Sequence, residues 1–200
     1  MTDQTPESEA DFPEVAISPV KALLGLILLT ALYASLFVWL GVQTHRGLWP
    51  LLASLYVAST LLVLSYIDLR TGLLPDALTL PFTASGLIYA AVITRDWPMS
   101  LAGVILGYGL IAGLAWLWRH YRGQEGIGLG DAKLLAGIGA WVGITGLPIV
   151  LMIASGAGLF VAWIVSQKAR SDEQLTAIAF GPFLAFGAWG VWCGGVMNAI

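Results

Sequence analysis

Two aspartates lie where long apolar runs of this sequence meet polar residues, and they are the side chains best placed to do chemistry. Asp68 ends one apolar run and is followed at once by Arg70 and then by Pro75 and Asp76. Asp131 opens another run, within Gly-Ile-Gly-Leu-Gly-Asp-Ala-Lys. Ionisable side chains in or beside membrane-spanning segments are costly and are functional by default.

Two carboxyl groups held close together favour a state in which one is ionised and the other keeps its proton. The ionised group can take a proton from water while the protonated group donates to a leaving amine, which is the logic of the aspartic proteases. The proton belongs to the pair rather than to one residue. If the fold brings Asp68 and Asp131 together, the sequence therefore predicts a hydrolytic dyad.

The residues around Asp131 suit the approach of a peptide. Gly126, Gly128 and Gly130 have no side chain to block a peptide backbone. Lys133 adds a positive charge two residues further on, although a lysine there can also extend along the surface with its charge in water. Taken alone, Asp131 has an ordinary explanation as a helix N-cap.

The residues after Asp68 predict a turn and a new helix. Pro75 and Asp76 are a helix-start signal, with Asp76 able to cap the free backbone N–H groups. Taken alone, Asp68 could be a solvated residue at a helix end or the partner of Arg70.

No other chemistry is indicated by the residue types. The two histidines, His45 and His120, are predicted on opposite faces and belong to no zinc motif. Cys193 is the only cysteine, which excludes an intrachain disulfide and a cysteine-based zinc cluster. No phosphate-binding loop and no basic patch are present. We therefore expect no metal, no cofactor and no nucleic-acid partner.

The composition identifies a chain that lies in the lipid bilayer. The sequence is 58% hydrophobic and 10% charged, against about a quarter charged for a globular protein. Its apolar blocks approach the roughly 20 residues that cross a bilayer as a helix. The predicted fold is therefore all-α, a polytopic transmembrane bundle of six to seven helices. The blocks are about 20–42, 48–67, 77–93, 99–118, 131–145, 149–165 and 175–197.

Several features of these blocks add detail to the prediction. The fifth block is short for a full span and could be tilted, kinked or buried; a break is expected at 146–148. Small residues at 103, 107, 109, 113, 137, 139 and 143 predict close helix packing. Tryptophans at 49, 97, 116, 118, 163 and 192 are typical of an interfacial aromatic belt.

Two regions of unlike composition divide the chain. Residues 1–18 are acidic and polar and predict a disordered cytoplasmic tail, and residues 19–200 form the transmembrane domain. We expect no cleaved signal peptide, because five acids precede the first base.

Basic residues cluster on one side of the predicted bundle, and this sets the orientation. The other side holds only Arg46 and Arg95. The positive-inside rule therefore predicts that the N-terminus, Asp68 and Asp131 face the cytoplasm. The bases on or near that side are Lys21, Arg70, Arg119, Arg122, Lys133, Lys168 and Arg170.

Three stretches, in order, carry a resemblance to a known family. They are Asp68-Leu-Arg-Thr-Gly-Leu-Leu-Pro-Asp-Ala-Leu-Thr-Leu-Pro81, Gly128-Leu-Gly-Asp-Ala-Lys-Leu-Leu135 and Phe180-Gly-Pro-Phe-Leu-Ala-Phe-Gly187. With these the sequence resembles the type IV prepilin peptidases, which are Gly-x-Gly-Asp aspartic membrane proteases, over about residues 19–200.

The resemblance implies a reaction, a substrate and a location. Asp68 and Asp131 would be the catalytic pair, on the cytoplasmic face of the bacterial inner membrane. The substrate would be a type IV prepilin or a type II secretion pseudopilin, whose short basic leader is cut after a glycine. Gly128, Gly130, Lys133, Arg70, Pro75 and Asp76 are the candidate supporting or substrate-binding residues.

The sequence departs from many bacterial members in one respect. Those members carry a cytoplasmic region with two Cys-x-x-Cys pairs, which the resemblance associates with N-methylation of the new N-terminus. Here Cys193 is the only cysteine. The chain resembles a short form, and we predict that it has no N-methyltransferase activity.

Two alternatives remain. The presenilin and signal-peptide-peptidase group shares Gly-x-Gly-Asp but pairs it with Tyr-Asp and Pro-Ala-Leu, where this chain has Ile67-Asp68 and Gly181-Pro182-Phe183. A non-enzymatic protein, either a transporter or an inactive subunit of a pilus or secretion system, is the alternative from a different class. A transporter would place its acids near the bilayer midplane, whereas both aspartates here lie at helix ends.

Overall fold

The computed structural model describes residues 48–122, 128–168 and 179–198, and within these residues it contains helices and no strand. The predicted all-α bundle is confirmed. The predicted tail at 1–18 and the first apolar block at 20–42 lie outside the described residues. The helices are α1 (Leu48–Thr71), α2 (Asp76–Tyr89, continued by a π-helical turn at Ala90–Thr94), α3 (Trp97–Arg122), α4 (Leu129–Lys168) and α5 (Gly181–Asn198).

Four of these helical stretches are long and apolar enough to cross a membrane, which fits a multi-pass membrane protein. Their mean hydropathies range from 1.6 to 2.2. The shortest has 19 residues, or about 28 Å of helix, close to the roughly 30 Å of a hydrocarbon core. The stretches are Trp49–Thr71, Asp76–Thr94, Trp97–Tyr121 and Leu129–Ile164.

The first part of α4 runs antiparallel to α3. A methyl group on Gly107 would lie 2.6 Å from the carbonyl oxygen of Leu135, and one on Gly143 would lie 3.8 Å from Met99. Later residues of α4 therefore contact earlier residues of α3. At Gly143 the backbone of α4 leaves the helical conformation, with φ 70° and ψ 176°.

Beyond Gly143, α4 turns back along α5. A methyl group on Gly146 would lie 3.1 Å from Val191, near the end of α5, whereas one on Gly158 would lie 3.9 Å from Phe183, near its start. A straight helix over the 36 apolar residues would be roughly 54 Å long, far more than a bilayer needs. The helix α4 is therefore two antiparallel segments joined at Gly143.

The break lies three residues before the position predicted for it. We expected the chain to break at 146–148, because Pro148 removes a backbone donor. The structure places Pro148 inside the second segment and the turn at Gly143. The physical reason is that a positive φ is strained for any residue with a side chain and is not strained for glycine.

The first segment of α4 is the centre of the bundle. Leu134, Leu135 and Ile138 are almost fully buried within it. At about 14 residues it is short for a span, and burial inside the bundle is one of the accommodations that its length predicts. The helix α2 runs parallel to it, because Gly130 packs on Leu74 and Gly137 packs on Phe82.

Small residues bring α3 and α4 together, as predicted, but only at some positions. The backbones of Gly103 and Gly139 touch. Gly109 and Gly113 instead face open space, so they pack on nothing in the described part of the chain.

The prediction that the tryptophans lie at the membrane interface needs one correction: Trp192 is buried, and its Nε1 donates to Ser54 Oγ at 2.9 Å. Trp49, Trp97, Trp116, Trp118 and Trp163 are exposed.

The contact between Gly103 and Gly139 predicts a large effect of a small side chain. Gly103→Ala should lower the free energy of unfolding by about 1–3 kcal/mol, because the methyl group meets the backbone of α4, which cannot move aside alone. Thermal unfolding of the purified protein in detergent measures the change. Gly109→Ala is the matched control in the same helix, since its methyl group meets nothing. Equal stability of the two variants would contradict the close contact.

Candidate active site

Asp68 is buried in the last turns of α1. It is 5% exposed, and its Oδ2 accepts a hydrogen bond of 2.9 Å from the backbone N–H of Gly181 at the start of α5. Asp68 is therefore not a solvated residue. Arg70 points elsewhere: it is exposed, and its guanidinium lies 5.1 Å from the ring centre of Tyr66. The pairing of Asp68 with Arg70, which the sequence left open, is replaced by a bond across the bundle.

Asp131 lies in the first turn of α4, and the structure brings it to Asp68. Because α4 begins at Leu129, Asp131 is the third residue of the helix rather than the residue that caps it. Its carboxyl group is partly buried and within electrostatic range of the carboxyl group of Asp68. Two acids that are 63 positions apart in sequence therefore lie within electrostatic range of each other at one end of the bundle.

Lys133 and Asp76 form an ion pair beside these acids. Lys133 Nζ lies 2.6 Å from Oδ1 and 2.8 Å from Oδ2 of Asp76, and both side chains are partly exposed. The pair joins the first turn of α4 to the first turn of α2. The charge of Lys133 is therefore paired with Asp76, two residues along α4 from Asp131.

The expected capping role of Asp76 is wrong, although the expected helix start is right. The residue at the N-cap position of α2 is Pro75, which offers no side-chain hydrogen bond. The backbone N–H groups of Leu78 and Thr79 instead donate to the carbonyl oxygen of Pro75. The carboxylate of Asp76 instead accepts hydrogen bonds from Nζ of Lys133 on α4.

The glycines before Asp131 play different parts. Gly128 is exposed, and a side chain there would meet nothing in the described part of the chain; its role in admitting a peptide stays a prediction. A methyl group on Gly130 would lie 3.2 Å from Leu74, so the missing side chain admits the segment before α2 rather than a substrate. Gly126 lies outside the described residues.

Gly181 is the site residue to which the sequence assigned no role. In the sequence it stands within Phe180-Gly-Pro-Phe, which belongs to one of the three stretches that carry the family resemblance. A Gly-Pro pair at the start of an apolar block does signal a helix start, but nothing in the sequence indicates which side chain meets that start. The contact with Asp68 joins residues 113 positions apart and becomes visible only in the folded chain.

The arrangement can perform acid–base chemistry on a water molecule. The two carboxyl groups come from separate helices and lie at the end of the bundle, where α1 and α5 leave the apolar core. Within the described part of the chain, no group of three histidine, cysteine or acidic side chains could hold a metal ion.

Comparisons with known proteins agree on one family. A model of the type IV leader peptidase family matches residues 55–163, a range that contains both aspartates. A prepilin leader peptidase/N-methyltransferase of Aeromonas hydrophila is 39% identical over 86% of this chain and 58% of its own length. One of Escherichia coli (strain K12) is 46% identical over 64% of this chain and 56% of its own. One of Pectobacterium carotovorum subsp. carotovorum is 35% identical over 92% of this chain and 62% of its own.

The chain spans about half the length of the curated relatives it matches. No solved structure matches it significantly. The family model nevertheless covers more than half of the chain, and the same family name recurs in relatives at 35–46% identity. This chain belongs to the type IV leader peptidase family.

Proposed function

We propose that this protein is an aspartic endopeptidase that removes the basic leader from type IV prepilins or type II secretion pseudopilins. The observation that carries the proposal is that the carboxyl groups of Asp68 and Asp131, from separate helices, lie within electrostatic range of each other at one end of an apolar bundle. The names of the relatives support the substrate class. We place the site on the cytoplasmic face of the bacterial inner membrane, because of the distribution of lysine and arginine.

The pair performs hydrolysis by moving two protons. The ionised carboxyl group removes a proton from water as the water oxygen attacks the carbonyl carbon of the glycine that ends the leader. The protonated carboxyl group gives its proton to the nitrogen of the leaving amine as the carbon–nitrogen bond breaks. The two aspartates have then exchanged protonation states, and one proton transfer between them restores the starting state.

The surroundings of the pair fit a substrate that begins with a leader in water and continues as an apolar helix. Leu73, five residues after Asp68, and Leu129, two residues before Asp131, are both exposed, and we take them as an apolar rim of the site. Such a rim favours an apolar segment that comes from the lipid. A side chain at Gly128 would meet nothing in the described chain, and this open space suits a leader peptide that extends into water.

Asp68→Asn and Asp131→Asn should each lower the rate of prepilin cleavage at least about a thousand-fold, because asparagine keeps the shape but cannot exchange the proton. Cleavage of a prepilin in membranes, with insertion of each variant verified, measures the effect. Asp96→Asn is the control, since Asp96 lies at the other end of α2, and it should cleave normally. Normal cleavage by either dyad variant would exclude the pair as the catalyst. An intact chain that cuts no prepilin would instead favour an inactive subunit.

The ion pair of Lys133 and Asp76 should matter through position rather than chemistry. Lys133→Met and Asp76→Asn should each lower kcat about two- to fivefold, and the double variant should lose no more than either alone, because exposed pairs contribute about 0.2–1 kcal/mol. Cleavage kinetics of the parent chain and the three variants form a double-mutant cycle. Lys133→Arg is the control, since arginine can keep the ion pair with Asp76. A double variant whose loss is the product of the two single losses would show that the residues act independently.

We propose that the chain cleaves without methylating its product. The sequence has no Cys-x-x-Cys pair, and Cys193, partly buried in α5, is its only cysteine. Mass spectrometry of a pilin cut by the purified chain with a methyl donor present should find a free, unmethylated N-terminus. A relative that carries both activities in its name is the positive control. A product heavier by one methyl group would contradict this proposal and leave the peptidase proposal unaffected.

A further inference from the structure

The start of α5 is shaped around the carboxyl group of Asp68. Gly181 is buried, and its N–H donates to Asp68 Oδ2 at 2.9 Å. A methyl group on Gly181 would lie 2.5 Å from the same oxygen and 3.0 Å from the carboxyl carbon. Any side chain at this position would therefore occupy the space that the carboxyl group now fills.

The neighbouring backbone leaves this N–H as the donor directed at the acid. Pro182 has no N–H group. The N–H groups of Phe183 and Leu184 donate to the carbonyl oxygen of Phe180 at 3.1 and 3.2 Å and form the first turn of the helix. The N-terminus of a helix also carries a partial positive charge, which favours an anion placed against it.

We propose that Gly181 is the positioning residue of the dyad: its N–H group and its missing side chain hold Asp68 as the ionised member, which leaves Asp131 to carry the proton. This inference rests on the proposed peptidase function. Hydrogen bonds to an ionised carboxylate are stronger than those to a neutral carboxyl group, so a fixed donor beside one acid divides the roles of the pair. Asp68 then removes the proton from water, and Asp131 protonates the leaving amine.

The variant Gly181→Ala tests the positioning role. Its methyl group displaces the carboxyl group of Asp68, and a displacement of about 1 Å at a reacting group can cost about a hundred-fold in rate. We expect kcat for prepilin cleavage to fall about 10- to 100-fold while KM changes little, because Gly181 is buried beneath Asp68 rather than exposed on the surface that a substrate approaches. We also expect the acidic limb of the pH–rate profile to move to higher pH, because the anionic pair has lost a donor. The alkaline limb should stay in place.

Two glycines of the same helix provide matched controls. A methyl group on Gly187 would lie 2.6 Å from the carbonyl oxygen of Val150, as crowded as at Gly181 but away from the dyad. Gly187→Ala should therefore lower thermal stability and leave the pH–rate profile unchanged. A methyl group on Gly190 would lie 3.8 Å from Ile153, an ordinary contact, so Gly190→Ala should behave as the parent chain does.

A measurement without substrate separates this inference from the proposed function. In nuclear magnetic resonance spectra of the full chain in detergent, the amide proton of Gly181 should move upfield on Asp68→Asn, while that of Gly190 stays in place. A chain that cuts no prepilin but shows this shift would contradict the peptidase function and support the hydrogen bond. If the chemical shift of the Gly181 amide proton did not change on Asp68→Asn, the inference would be overturned. A cleaving Gly181→Ala variant with the kcat and pH–rate profile of the parent chain would also overturn it.

Discussion

The burial of one carboxyl group constrains the path of the described helices. A carboxylate that is removed from water needs donors, since an unpaired buried charge costs several kcal/mol. Asp68 obtains a donor from the first residue of α5, so α5 has to begin at the end of the bundle where α1 finishes. The second segment of α4 runs back toward that end, and this return requires the turn at Gly143. The turn at Gly143 and the return of the second segment of α4 thus lead the chain toward the end of the bundle where Gly181 meets Asp68.

The other acid is held by a different set of contacts. Asp131 lies on the short central segment of α4, which packs against α3 through glycines and against α2 through Phe82. The ion pair of Lys133 and Asp76 ties the beginning of that segment to the beginning of α2. Because helices in lipid gain little from the hydrophobic effect, close backbone packing and polar contacts of this kind set their relative positions. Each aspartate thus owes its place to partners on helices that the other does not use.

Much of this arrangement could be predicted from the sequence, for identifiable reasons. Apolar blocks near 20 residues long give the helices, and charged residues at their ends give a common level for Asp68 and Asp131. The choice of hinge could not be predicted, because Gly143 and Pro148 both signal a break and only backbone geometry decides between them. The role of Asp76 was missed because a helix-start acid has two possible partners, a backbone N–H group and a lysine 57 positions away. The local sequence pattern favours the backbone N–H group, whereas the fold places the lysine beside the carboxylate.

The location of the acids at a helix end rather than in the middle of the bundle follows from the reaction they are proposed to perform. Hydrolysis consumes water and releases a charged amine, so the pair must be reached from the aqueous side. A proton can be divided between two carboxyl groups only where water does not screen them from each other. The last turn of α1 and the first turn of α4 meet both needs: Asp68 is shielded by α5, while Gly128, three residues before Asp131, is open to solvent. Deeper burial would exclude the water, and full exposure would allow both acids to ionise.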